Sequence, residues 1–324
     1  MLDLHAYEDC VLCPRNCHVN RCKNEKGFCN QGSSLCVAWA GLHFGEEPPL
    51  TASGGSGTIF ITGCNLACAF CQNWQISQEG MGRDISPDEF SLICLKLQEK
   101  GAININIVTG SHNTRLIMEG LRRAKMQGLH IPILWNTSSY EKESEIALLS
   151  SQVDIWLADI KTFDPHLAFS LFRAYDYPEI ARDAILRMTS SSPLVYADGM
   201  GESGDDARLI SGVIVRHLVL PNRLNDTEEI LKWFASHLKG RALLSLMTQY
   251  TPIARAKISE VNFDRPIEQE EDEALRELLS KYDIEEGFYQ ELVQDSSWLP
   301  NFQNIQPFSS TLASPIWHWH CGFL

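Results

Sequence analysis

Between Thr58 and Met247 the chain alternates short apolar runs with amphipathic stretches, and it does so six times. The apolar runs fall at about 57–62, 103–108, 131–135, 153–158, 213–220 and 242–247, each of strand length. The amphipathic stretches between them predict helices at about 86–100, 114–127, 140–150, 178–188 and 226–239. The first is well signed: Ser86 as N-cap, Pro87 in the first turn, Glu89 to complete a capping box, then Phe90, Ile93, Cys94 and Leu97 at helical spacing and Gly101 as the stop. Ser139 and the pair Asp226 and Glu229 are expected to cap two of the later helices. Alternation of this kind calls for parallel strands joined by right-handed crossovers. Six units are too few for an eight-fold barrel.

Polar residues gather where each strand ends: Thr109 with His112, Asn136, Asp159 with Lys161, and Gln249 with Tyr250. In a parallel barrel those ends form one face, and that face holds the chemistry. The first strand empties into Gly63-Cys64-Asn65-Leu66-Ala67-Cys68-Ala69-Phe70-Cys71-Gln72-Asn73-Trp74. Three soft sulfur ligands at the end of a rigid strand suit an iron–sulfur cluster or zinc. A [4Fe–4S] cluster takes four thiolates, so three would leave one iron open, as a catalytic zinc keeps a position open.

Cys10, Cys13, Cys17, Cys22 and Cys29 crowd into the first thirty residues, with Cys36 shortly after. So short and polar a segment lacks a core of its own and is expected to be organised by metal. Cys10, Cys13, Cys17 and Cys29 are the preferred ligands, Cys22 and Cys36 the alternates; spacing does not decide between zinc and a second iron–sulfur cluster, which would act as an electron relay. Residues 37–56, with Glu46-Glu47-Pro48-Pro49 and the glycines before Gly57, read as a flexible connection whose glutamates are expected to face solvent, with a role near the site as the alternative.

The net charge of −14 argues against nucleic acid as the main partner. No apolar run approaches membrane-spanning length, and the first ten residues lack the basic and apolar parts of a signal peptide. With 11 cysteines and no such signal, a reducing, cytoplasmic setting is expected.

The spacing Cys64-xxx-Cys68-x-Phe70-Cys71 resembles the signature of the radical S-adenosylmethionine (SAM) enzymes. The wider chain looks like the proteins similar to pyruvate formate-lyase-activating enzyme. That likeness rests on Cys13-Pro14-Arg15-Asn16-Cys17, His43-Phe44-Gly45-Glu46-Glu47-Pro48, Phe70-Cys71-Gln72-Asn73, Val108-Thr109-Gly110-Ser111-His112, Trp135-Asn136-Thr137, Asp159-Ile160-Lys161, Arg216-His217-Leu218-Val219-Leu220-Pro221 and Met247-Thr248-Gln249-Tyr250.

The resemblance implies an α/β fold: a partial (β/α)6 TIM-type barrel with a small N-terminal cysteine-rich metal-binding module. It implies a [4Fe–4S] cluster on Cys64, Cys68 and Cys71 whose open iron binds SAM. One electron then gives methionine and a 5′-deoxyadenosyl radical, which abstracts hydrogen from a substrate. It implies an external reductant such as flavodoxin or ferredoxin, and a backbone glycine of a partner enzyme, a glycyl radical enzyme, as one candidate substrate. Phe70 is expected near the adenine, and Asp159, Lys161, Arg216 and Asn136 around SAM. Where the activating enzymes carry Gly-Gly-Glu after the second strand, this chain has Thr109-Gly110-Ser111-His112, so Thr109 and Ser111 are expected to offer oxygens where a carboxylate is missing.

The expected organisation is a cysteine-rich module over 1–50, the barrel over 51–255, and a C-terminal helix and tail over 256–324. The acidic, small-residue stretch 189–212 reads as a mobile surface loop. The aromatic tail with His318, His320 and Cys321 is expected to dock on the barrel underside, with metal ligation as its alternative. An iron–sulfur electron carrier or redox sensor is the rival reading, and Asp159, Lys161 and Arg216 discriminate, since a carrier needs no charged ligand pocket. A zinc-stabilised interaction module would explain the N-terminal cysteines but not the barrel.

Overall fold

The structure, a computed structural model, describes residues 5–197, 207–253, 263–292 and 299–324. Its strands are β1 (Leu35–His43), β2 (Ser56–Ile61), β3 (Arg83–Ile85), β4 (Ile105–Val108), β5 (Ile133–Thr137), β6 (Ile155–Asp159), β7 (Val195–Tyr196), β8 (Leu209–Leu218), β9 (Leu243–Met247), β10 (Gly287–Tyr289), β11 (Ala313–His318) and β12 (Gly322–Phe323). The main sheet runs β10-β9-β8-β6-β5-β4-β2-β1-β11-β12, with β3 on β1 and β7 on β8. From β2 to β10 every main-sheet neighbour is parallel. The six predicted units are β2, β4, β5, β6, β8 and β9, so the mixed α/β architecture is the largely parallel, open sheet expected of a partial barrel.

Strand alternation gives the sheet two different faces. On the outer face Ile105, Ile107, Ile133, Trp135, Trp156, Val213, Val215, Leu244 and Leu246 pack with the helices into one large core. On the inner face Leu134, Ile155, Leu157, Ile214 and Leu243 close around Leu50 as an apolar floor. The next inner positions toward the strand ends are Asn136, Asp159 and Arg216, all half-buried, and the buried Ser245 in register with Arg216. An apolar floor below a polar, accessible mouth is what places the site.

The helix at Pro87–Glu99 forms as its signals predict, with Ser86 Oγ accepting from the Glu89 amide at 3.1 Å. The reciprocal half of the capping box is not made: the Glu89 carboxylate takes Arg83 at 2.7 Å and the Trp317 indole at 3.1 Å. The helix expected at 140–150 is shorter, Glu143–Leu149, and Ser139 does not cap it. Asp226 accepts from the Phe163 amide and caps no helix of its own, which runs Leu224–His237. Helices at Pro165–Phe172 and Gln269–Lys281 complete the set that the strand–helix pattern left out or placed only roughly.

Two expectations are overturned. Residues 37–56 are not a flexible connection: β1 pairs antiparallel with β2, and Pro48–Thr51 forms a helical turn bearing Leu50. The tail does not dock underneath the barrel. It extends the sheet, with β11 antiparallel to β1, while Phe302 and Phe308 pack against the Phe60 ring. Part of the 189–212 stretch is ordered as the end of the Tyr177–Ser191 helix, β7 and the start of β8; 198–206 lie outside the described residues. No helix among the described residues is long and apolar enough to cross a membrane.

Candidate active site

The three cysteines of the loop after β2 stand together at the strand-end mouth. Cys68 is buried while Cys64 and Cys71 are half-buried, and both lie near enough to Cys68 to oppose its ionisation. The loop is held from several sides. Gly63 has φ of +90°, and a Cβ there would meet Gln31 Cγ at 2.5 Å and the Cys29 carbonyl oxygen at 2.9 Å, so only glycine fits the turn. Asn65 donates to the Tyr140 carbonyl at 2.8 Å, and Ala67 takes a left-handed φ of +53°. Two sulfurs accept hydrogen bonds: Cys64 from the Leu66 amide at 3.3 Å, Cys71 from the Asn73 amide, with the Ser77 hydroxyl also 3.3 Å from Cys71.

Beside these sulfurs lies the Asp159–Lys161 pair, Nζ to Oδ2 2.7 Å. Burial alone would lower the Lys161 pKa; the Asp159 carboxylate outweighs it and keeps the amine charged. Tyr177 braces the turn beneath: its hydroxyl accepts from the Lys161 amide at 3.0 Å and lies 3.0 Å from the Ser138 carbonyl and 3.2 Å from that of Asp159. The Phe70 ring packs edge-on to Tyr250 at 6.2 Å. Thr109 takes a left-handed φ of +63° at the end of β4, its amide on the Asn136 carbonyl. Asn136 and Thr109 are both half-buried at the same strand ends.

Arg216 faces Asp159 in the β6–β8 register, but its guanidinium is largely engaged from below. Nε and Nη2 bind Glu47 at 2.7 and 2.6 Å, and Nη2 also binds Glu46. Asn106 donates to Glu46 at 2.9 Å. Glu46 and Glu47 are therefore not solvent-facing: their side chains are 8% and 5% exposed. Burial pushes the Glu47 carboxyl up, but Arg216 outweighs it and holds the group below the usual range. Sequence reasoning missed this network; the signal available was a carboxylate pair stiffened by two prolines and followed by the apolar Leu50.

His112 is no ligand at the mouth. It is buried, with Nε2 on the Thr62 carbonyl at 2.8 Å, and burial, then Arg21, lower its pKa to about 4. Lowering it from 6.5 to about 4 amounts to on the order of 3 kcal/mol, because the unfolded chain takes the proton first. That stability is fully present above pH 6.5 and is lost as pH falls toward 4. Denaturant midpoints measured across this window should fall steeply for the parent and less for His112→Gln; equal slopes would remove His112 from the acid response.

Cys10, Cys13, Cys17 and Cys29 also lie near one another: burial first, and then the neighbouring Cys29, Cys17 and Cys10, push the Cys13 thiol up. The alternates do not join them: Cys22 is exposed, and Cys36 sits against Thr62 and Asp84. His318 is buried on the Phe302 carbonyl at 3.2 Å and Cys321 is exposed, so the tail gathers no ligand set. A surface cleft of about 570 Å³, lined by Pro14, Asn16, Glu143, Asp176, Asp183 and Arg187 among others, carries none of the mouth residues.

The sequence profile of the Radical SAM superfamily matches residues 58–193, from β2 past β6. The uncharacterized protein MJ0674 of Methanocaldococcus jannaschii is 30% identical over 288 residues, covering 87% of this chain and 77% of that one. MJ0808 of the same organism is 23% identical over 199 residues, 46% of this chain and 58% of that one. Among solved structures, Streptococcus suis SuiB bound to its precursor peptide SuiA matches at TM-score 0.48 and 12% identity, covering 71% of this chain and 47% of SuiB. A domain of pyruvate-formate lyase-activating enzyme from Bacteroides vulgatus matches at TM-score 0.37 and 13% identity, covering 55% of this chain and 91% of that domain. The chain thus spans about half the length of SuiB. The chain belongs to the radical SAM superfamily, whose members use a [4Fe–4S] cluster and SAM.

Its residues fit that pair of groups. Three thiols at one loop suit a cube with one open corner. Burial pushes the Cys71 thiol up to about 11 and Cys68 higher still, so these two sulfurs, when free, hold protons that iron would displace. A charged Lys161 and the Asp159 carboxylate stand beside them, of the signs that an amino acid's carboxylate and amine require.

Proposed function

We propose that this protein reductively cleaves SAM at a [4Fe–4S] cluster held by Cys64, Cys68 and Cys71 and turns the product radical on a bound substrate. The observation that carries this reading is the juxtaposition of the three cysteines with the Asp159–Lys161 pair at the strand-end mouth. When bound, the cluster supplies one electron that splits SAM into methionine and a 5′-deoxyadenosyl radical able to take a hydrogen atom. The chain's own part is to bind, orient and shield. Asp159 accepts the amine or ribose donors of SAM and Lys161 meets its carboxylate. Phe70 and Tyr250 wall the adenine side, and Asn136 and Thr109 add polar contacts. Arg216, fixed by Glu46 and Glu47, presents its remaining edge from below. The N-terminal cysteines take a metal of their own. A backbone glycine of a partner enzyme is the finer reading of the substrate, suggested by the sequence motifs shared with the activating enzymes; a small molecule or another protein is the alternative. A flavodoxin- or ferredoxin-type donor supplies the electron.

The test is anaerobic reconstitution, reduction with SAM present, and quantitation of 5′-deoxyadenosine. Reduced protein should form it, and none above the cluster-free control would contradict the reading. Asp159→Asn should weaken SAM binding roughly ten- to a hundredfold, the worth of a charge-assisted hydrogen bond, with cluster content unchanged. Unaltered SAM affinity would take Asp159 out of the pocket.

A further inference from the structure

His217 follows Arg216 on β8 and lies on the opposite, outer face of the sheet, in line with Val213 and Val215. It is 1% exposed, and both ring nitrogens are engaged. Nδ1 lies 2.7 Å from the Ile160 carbonyl oxygen and Nε2 lies 2.9 Å from the Thr227 hydroxyl. A carbonyl oxygen can only accept, so Nδ1 carries the proton. Burial lowers the pKa of the ring, which is neutral, so Nε2 accepts from the Thr227 hydroxyl. Thr227 is itself buried near the start of the Leu224–His237 helix, and it holds the ring in that tautomer.

Ile160 stands between Asp159 and Lys161. The carbonyl that it offers to His217 belongs to the same peptide unit as the Lys161 amide, which donates to the Tyr177 hydroxyl at 3.0 Å. That plane is therefore held at both ends, by a donor on its oxygen and an acceptor on its nitrogen. On either side the chain is held too: the Ile160 amide donates to the Arg216 carbonyl at 2.8 Å, and the Phe163 amide to Asp226 at 2.8 Å. The Asp159 and Lys161 side chains are 25% and 18% exposed, so the geometry of the pair comes from the backbone beneath it. The orientation of the plane sets the direction in which the Lys161 side chain leaves the chain, and so where its ammonium meets Asp159. Releasing the Ile160 carbonyl would leave a buried acceptor unmet and let the plane turn about its flanking torsions.

We propose that His217 is a positioning residue of the SAM pocket: it touches no ligand, and by holding the peptide between Ile160 and Lys161 it sets the ammonium and carboxylate of the Asp159–Lys161 pair where an amino acid's carboxylate and amine can meet them. Adjacent strand residues face opposite sides, so the tip of β8 holds this turn from behind with His217 while Arg216 faces Asp159 from within. The ligand rests on the SAM-cleaving reading of the mouth; the holding of the turn does not.

Two amide side chains separate this role from plain core filling. The Asn nitrogen stands on the same Cγ as histidine Nδ1, whereas the Gln nitrogen stands one atom further out, where Nε2 lies. His217→Asn keeps a donor for Ile160 and gives up Thr227; His217→Gln keeps a partner for Thr227 and gives up Ile160.

The test uses the full chain, reconstituted with iron and sulfide without oxygen. Amide hydrogen exchange over 159–163, read by mass spectrometry, should be roughly tenfold faster in His217→Gln, the worth of a buried carbonyl left unmet, and close to parental in His217→Asn. Exchange across β5 should not change in either variant. SAM affinity should fall by about the same factor in His217→Gln alone, with iron content unchanged. Parental exchange or parental SAM affinity in His217→Gln overturns the proposal, and so does an equal change in both variants, which core filling predicts. Should His217→Gln not fold, Tyr177→Phe frees the other end of the same plane and should show the same two changes; parental values there overturn the proposal. The exchange measurement needs no SAM, so a parent that binds none contradicts the SAM-cleaving reading while exchange still decides whether His217 holds the turn.

Discussion

Cys68→Ala should abolish 5′-deoxyadenosine formation while leaving the fold in place. Cys68 is the middle of the loop's three cysteines and the most deeply buried of them. Without it a cube retains two thiolates, and the turn held by Gly63 and Asn65 offers no substitute side chain. The loss should be complete, because no other group in the mouth can deliver an electron to a sulfonium. The structural cost should be small: Ser or Ala fills nearly the same volume, and the loop is braced by Arg15, Asn65 and Gly63 rather than by the sulfur. Circular dichroism close to the parent with no detectable product is the expected pair of results. Product at the parental rate would assign the cluster to other ligands.

Arg216→Met should have the largest effect on stability, about 3–5 kcal/mol, as expected when one partner of a buried ionic network is removed. Glu46 and Glu47 would be left facing each other, nearly buried, without their shared cation. Like charges so placed share a proton, so the loss should be greatest at neutral pH and shrink under acid conditions. Replacing Glu46, Glu47 and Arg216 together with apolar residues of similar size should cost much less than Arg216→Met alone, because no orphan charge remains. Urea unfolding of the single and triple variants separates the two. A single variant as stable as the parent would mean that the network contributes nothing to holding the segment between β1 and β2 inside the barrel.

Much of this was legible in the chain. Strand–helix alternation sets a parallel sheet, and polar residues at strand ends mark its working face, because both signals are local. Ser86 and Gly101 bound their helix for the same reason, with Gly101 at φ +93°. What was not legible depends on partners distant in sequence. Leu35–His43 is apolar on both faces and shows no alternation, and its partner β11 lies at the other end of the chain. Glu47 reads as a surface residue until Arg216, 169 positions away, is placed against it. Tyr177 looks like a helix-start aromatic, and only folding shows its hydroxyl under Asp159 and Lys161. The Arg21 guanidinium is likewise ordinary in sequence and a buried charge without a carboxylate partner among the described residues.

The most direct test is EPR of the anaerobically reconstituted and reduced protein, recorded before and after SAM is added. An iron with an open corner at the mouth should bind the amino acid end of SAM, so the reduced-cluster signal from Cys64, Cys68 and Cys71 should change shape and g values. A cluster signal that SAM leaves untouched would mean that the cube is closed by a fourth protein ligand and that the Asp159–Lys161 pair serves something other than SAM.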